Sequence, residues 1–174
     1  MISASAIGGI AAVSFGMVMT PGPNMIYCVS RSVSQGRRAG LISLGGVVLG
    51  FLVYLTAAVA GISALFALVP TAYLALKLAG AGYLLWLAWR AFRSPAHSPF
   101  RAAEMPHERP LKLFGMGALT CLLNPKLAVL YITLLPQFVR PERGGVFVQF
   151  AVLGLVLATL GVMGDSIVAL VAAR

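Results

Sequence analysis

ASAIGGIAAVSFGMVMTPGPNMIYCV, residues 4–29, is apolar along most of its length and interrupted within by Met19-Thr20-Pro21-Gly22-Pro23-Asn24. A helix needs about 20 mainly apolar residues to cross the hydrocarbon core of a bilayer, and this stretch is long enough. Two prolines around a glycine remove backbone hydrogen bonds and clash with the preceding turn, so the helix should unwind locally. In hydrocarbon the freed carbonyls and amides have no water to turn to. Such a break survives only where it is buried in protein or lines a wet cavity. No basic segment precedes the apolar run, so it reads as a retained span and not as a cleaved leader.

Four further stretches have the same reach: about Leu41 to Val69, Ala72 to about Ala91, about Leu113 to Val139, and about Val146 to Ala173. The 174 residues are 60% hydrophobic and only 10% charged, with a mean hydropathy of +0.95. A soluble domain carries about 45–50% apolar and about 25% charged residues. This chain has too little polar surface to cover a core in water, and its hydrophobicity excludes disorder. The expected fold is all-α: a polytopic membrane helix bundle, one transmembrane domain over residues 1–174 with five spanning helices.

Thirteen Lys and Arg against four Asp and Glu leave a net charge of +9. These basic residues sit at the ends of apolar runs and between them, so they report membrane orientation, and nucleic acid is not the expected partner. Arg31, Arg37 and Arg38 follow the first run; Arg90, Arg93, Arg101, Arg109 and Lys112 follow the third. The opposite side holds Arg140 and Arg143, with Lys77 just inside the third run. The bias puts the N-terminus outside and the proline-rich loop of about residues 94–110 in the cytoplasm. Ser30 to Arg38 reads as a short basic connector. Gly46 with Gly50, Ala57 with Gly61, and Gly154, Ala158 and Gly161 form small-residue stripes that let helices approach closely. Contact within the bundle is the preferred reading of them; a homodimer face is the alternative.

The interruption in the first run has a counterpart in the fourth, Leu123-Asn124-Pro125-Lys126. The two runs are three spans apart, so a three-plus-three repeat would be inverted in the membrane. Breaks at matching places in inverted halves are the best sequence pointer to a transport site, because a half-helix N-terminus offers free amides and partial positive charge to a carboxylate. Paired packing kinks are the plainer alternative. Asp165, in Gly161-Val-Met-Gly-Asp165-Ser166, is the one acid deep in an apolar run. Intramembrane carboxylates usually face a cavity or a partner, so Asp165 reads as a site for a substrate ammonium, a proton carrier, or a structural partner of Lys126 or Lys77. Lys126 reads equally as a carboxylate anchor or as a side chain snorkelling to the interface. His97, Glu104, His107 and Glu108 fit no standard metal spacing, and Cys28 and Cys121 read as packing residues. No metal site or organic cofactor is expected, and no nucleophile–base pair points to an enzyme.

Pro21-Gly22-Pro23-Asn24, Ser34-Gln-Gly36-Arg-Arg-Ala-Gly40, Lys77-Leu-Ala-Gly80-Ala-Gly-Tyr83-Leu-Leu-Trp86-Leu, Leu123-Asn124-Pro125-Lys126, Pro136-Gln137-Phe138 and Asp165 occur in that order. In these motifs the chain resembles the lysine-exporter and homoserine/threonine-resistance family of bacterial amino-acid translocators. The resemblance implies a multi-pass inner-membrane protein of six helices that exports small amino acids or close derivatives, coupled to the proton gradient. It implies a substrate site of Pro21, Gly22, Pro23, Asn24, Asn124, Pro125, Lys126 and Asp165 near the midplane. The family pattern has a sixth helix, whereas five apolar runs are read here, so a complete second half is not expected within these residues. A metal-cation exporter and a non-transporting membrane scaffold or assembly subunit are the alternative functions.

Overall fold

The computed structural model describes residues 2–62, 78, 82, 89 and 107–173. The expected third span and most of the loop at 94–110, with His97 and Glu104, lie largely outside the described residues.

Each break in the sequence becomes a break in a helix. α1 (Ala4–Val18) opens on Ser3, whose hydroxyl accepts the Ala6 amide at 3.2 Å, and ends ahead of Pro21. α2 (Pro23–Gln35) begins on a proline, as do α4 (Pro110–Leu122) and α5 (Pro125–Phe138). Proline suits the first helical position because the amide it lacks would have no partner there. α3 (Arg37–Ala57) widens into a π turn over Ala58–Ile62, and α6 (Val146–Ala172) runs unbroken. A second π turn, Leu130–Leu134, lies within α5; Pro136 cannot bond back to the Ile132 carbonyl, and the ladder loosens just before it.

α1 with α2 and α4 with α5 form bent pairs, at 50° and 47°. Among the described residues, Arg37–Gly61 and Val146–Ala172 are long and apolar enough to cross a membrane, and each bent pair adds one span if counted as a unit. Leu155, Met163, Ile167 and Val171 on α6 are each more than half exposed. In water such a stripe would drive aggregation; lipid is its matching solvent.

The basic connector expected at Ser30–Arg38 shrinks to one residue. α2 continues through Gln35, and Gly36 alone, at φ 84°, turns the chain into α3. This left-handed conformation suits glycine, which has no Cβ to clash. The polar residues stay helical because α2 buries Cys28, Val29 and Ser32, and apolar content alone underestimates a helix that outlasts the hydrocarbon.

The glycine stripes are used within the chain. α3 and α4 run parallel, with Ser43 beside Gly117, Gly46 against the Phe114 carbonyl and Gly50 on Cys121. A Cβ at Gly46 or Gly117 would collide with backbone of the facing helix. Farther along, the Tyr54 hydroxyl donates to the Leu122 carbonyl at 2.8 Å. α1 and α6 also run parallel, Gly164 resting on Val18. α5 turns back along α6, with the Tyr131 hydroxyl donating to Gly154 O at 3.1 Å. The stripe of Gly154 and Gly161 serves these contacts, whereas Ala57 and Gly61 remain exposed. The core between the helices includes Ile10, Cys28, Val47, Cys121, Tyr131, Phe150 and Leu153, all fully buried. Because α3 and α4 start side by side, Arg37 and Arg38 lie toward the same end of the bundle as Arg109 and Lys112.

Candidate functional site

The two breaks meet. Asn24, the second residue of α2, and Asn124, which precedes α5, are both buried, and the Asn124 side-chain amide donates to Asn24 Oδ1 at 3.1 Å. One hundred residues apart in sequence, they tie the two bent pairs together at their breaks.

Each loose backbone end at the breaks has a different fate. On the α4–α5 side the ends are satisfied locally and by α3. Leu123 N donates to Leu119 O and Asn124 N to Cys121 O, and Tyr54 takes the Leu122 carbonyl. Asn124 Oδ1 accepts the Lys126 amide at 3.0 Å, an N-cap that occupies the start of α5.

On the α1–α2 side the C-terminal carbonyls of α1 are claimed by a side chain from the other pair. Lys126 Nζ donates to Met17 O and, at 2.7 Å, to Thr20 O. A cation at the C-terminal end of a helix meets the negative end of its dipole. Gly22 precedes α2 and has no side chain with which to cap it. Ile26 N donates to Gly22 O, while the amides of Asn24 and Met25 have no hydrogen-bond partner among the described residues. Both residues are among those that line the cavity between the breaks.

A cavity lies at this junction, lined on the α1–α2 side by Ser14, Thr20, Gly22, Asn24 and Met25 and on the α4–α5 side by Asn124, Lys126 and Leu130. Phe51 of α3 and Leu157, Gly161 and Asp165 of α6 complete it. It offers about 50 Å³ of space in which the centre of a water molecule fits, against about 10–15 Å³ for one water. That is room for a few non-hydrogen atoms. Asp165 is 7% exposed, and its carboxylate makes no hydrogen bond or ion pair among the described residues. A buried carboxylate left without a partner is costly, so its place on a cavity wall points to a cationic occupant or a proton.

Of the eight residues expected at the site, Gly22, Asn24, Asn124, Lys126 and Asp165 line the cavity. Pro21, Pro23 and Pro125 shape the breaks behind it. Lys126 Nζ donates to carbonyls of the first break, and no ion pair joins it to Asp165 among the described residues. Lys77 lies outside the described residues. Ser14, Thr20, Phe51 and Gly161 were missed. Of these, Thr20 lies within the first break and Gly161 one turn before Asp165, so both carried a sequence signal for the cavity wall.

Bent apolar helices closing on a largely apolar cavity, with a carboxylate on its wall, are the arrangement in which membrane transport sites are built. The chain belongs to the LysE type translocator family, matched over residues 15–174. It is 35% identical over 148 residues to the cysteine/O-acetylserine efflux protein of Escherichia coli K12, covering 84% of this chain and 72% of the relative. It is 33% identical over 143 residues to an uncharacterized membrane protein of Vibrio cholerae, covering 82% of this chain and 68% of the relative. A membrane protein of Pseudomonas aeruginosa is 30% identical over 148 residues, covering 81% of this chain and 67% of the relative. No solved structure matches the chain.

Proposed function

We propose that this chain exports a small amino acid or a close derivative across the bacterial inner membrane, with the cavity between the breaks as its substrate site. The observation that carries the reading is the pairing of an unpartnered carboxylate, Asp165, with the uncapped amides of Asn24 and Met25 on one cavity. Those groups complement the two ends of an amino acid. The substrate ammonium binds Asp165, and its carboxylate takes the α2 amides and the positive end of the α2 dipole. Lys126 positions the end of α1 and does not bind the carboxylate. The lining holds one carboxylate, and its two thioethers, Met17 and Met25, have no thiol or imidazole beside them among its described residues, which favours an amino acid over a transition-metal cation. The Escherichia coli relative, a cysteine/O-acetylserine efflux protein, supports a small neutral substrate.

Transport proceeds by alternating access of two inverted halves. The helix pairings support this: α1 lies parallel to α6 as α4 lies parallel to α3, and exchanging the first span with the fourth and the second with the fifth converts one pair into the other. The glycine turns support it too, since Gly36 joins α2 to α3 and Gly144, at φ 130°, precedes α6 after α5. Proton coupling follows from competition: one carboxylate holds either a proton or the substrate ammonium, so each proton admitted displaces one substrate. The N-terminus lies outside and the 94–110 loop in the cytoplasm.

The test is efflux from cells loaded with an alanine- or cysteine-containing dipeptide. Wild-type protein exports the released amino acid, and Asp165→Asn at equal membrane abundance reduces export at least tenfold. Wild-type rates in Asp165→Asn refute the site, and efflux driven by metal cations alone refutes the substrate class.

A further inference from the structure

α6 presents Leu157, Gly161 and Asp165 to the cavity at intervals of four residues, so they lie on one face, spaced by about 6 Å along the axis. Gly161 has no side chain, and its place is taken by the ring of Phe51 from α3. A Cβ built on Gly161 would lie 2.8 Å from Phe51 Cζ. The ring is 2% exposed, wedged between α3 and α6, and it lines the same cavity as Asp165. An amino acid whose ammonium sits on Asp165 therefore meets an aromatic wall one helical turn away.

We infer that Phe51, seated on Gly161, is the residue that sets the upper size limit of the transported side chain. The inference rests on the assignment of Asp165 to the substrate ammonium. The ring admits small side chains and rejects large apolar or aromatic ones, such as those of leucine and phenylalanine, by overlap. Gly161 is the matching half of the device, because any side chain there pushes the ring toward the cavity and shortens it.

The experiment is dipeptide-loaded efflux of alanine, serine, threonine, leucine and phenylalanine by wild-type protein, Phe51→Ala, Phe51→Leu, Gly161→Ala and Asp165→Asn, each normalised to membrane abundance. One methylene in a snug apolar pocket is worth roughly 10-fold or more in discrimination. Phe51→Ala is expected to raise leucine relative to alanine efflux by at least about tenfold, Phe51→Leu by less, and Gly161→Ala to lower threonine relative to alanine. Wild-type ratios in the Phe51 and Gly161 variants, with Asp165→Asn inactive, overturn the size limit and leave the site standing. Export of the whole panel by Asp165→Asn overturns both. If Phe51→Ala fails to reach the membrane, the opposite shifts expected of Phe51→Leu and Gly161→Ala decide the matter.

Discussion

Replacing Lys126 by methionine keeps the aliphatic stem and deletes the ammonium that holds the end of α1. In the native chain Nζ donates to Met17 O and to Thr20 O. A hydrogen bond to a charged group contributes about 1.5–3 kcal/mol, so two bonds in a dry site would be worth about 3–6 kcal/mol. Lys126 is only part-buried and the cavity admits water, so water replaces part of what is lost. A net cost of about 2–3 kcal/mol is expected. On the scale of chains of this size, where 1 kcal/mol moves Tm by about 2–4 °C, the midpoint falls by about 4–12 °C. The assay is thermal unfolding of the purified full chain in mild detergent, followed by near-UV circular dichroism. Lys126→Arg, which keeps the charge, should recover most of the loss. A methionine variant that melts with the wild type would show that the latch contributes nothing and that Lys126 is free to serve the substrate.

Gly46→Ala and Gly117→Ala drive a Cβ into backbone of the facing helix and should each destabilise by about 1–3 kcal/mol or more. Gly115→Ala, with no neighbour within 4 Å of its added methyl, should match or slightly exceed wild-type stability; the same detergent melts check all three. Cys28 and Cys121 are free and fully buried, so a membrane-permeant maleimide should label them only after denaturation. Rapid labelling of folded protein would contradict the packing of α2 and α4 around them.

Composition and the spacing of prolines were enough to specify an all-helical membrane chain with two bent helix pairs, because each depends on local chemistry. A twenty-residue apolar run must be helical in lipid, and Pro21, Pro23 and Pro125 break helices wherever they stand. α6 was legible almost to the residue, since Gly145 and the end of its apolar run bound it. The end of α2 was not, because residues 30–35 are polar and helical, and what holds them is burial against neighbouring helices.

The chemistry of the site divides in the same way. Asp165 and the two asparagines were visible as polar residues in or beside apolar runs. Which amides stay open was not. Asn124 and Gly22 both stand just before a half-helix, yet one caps its helix with its own side chain and the other has none. Lys126 lies beside the second break in sequence, but its ammonium serves the first, and Phe51 gains its position only because Gly161 on another helix leaves room. Such pairings join residues up to about a hundred positions apart across helices whose register is set by glycine-to-backbone contact. Local chemistry determined where the chain breaks; only packing decided which broken end was left uncapped.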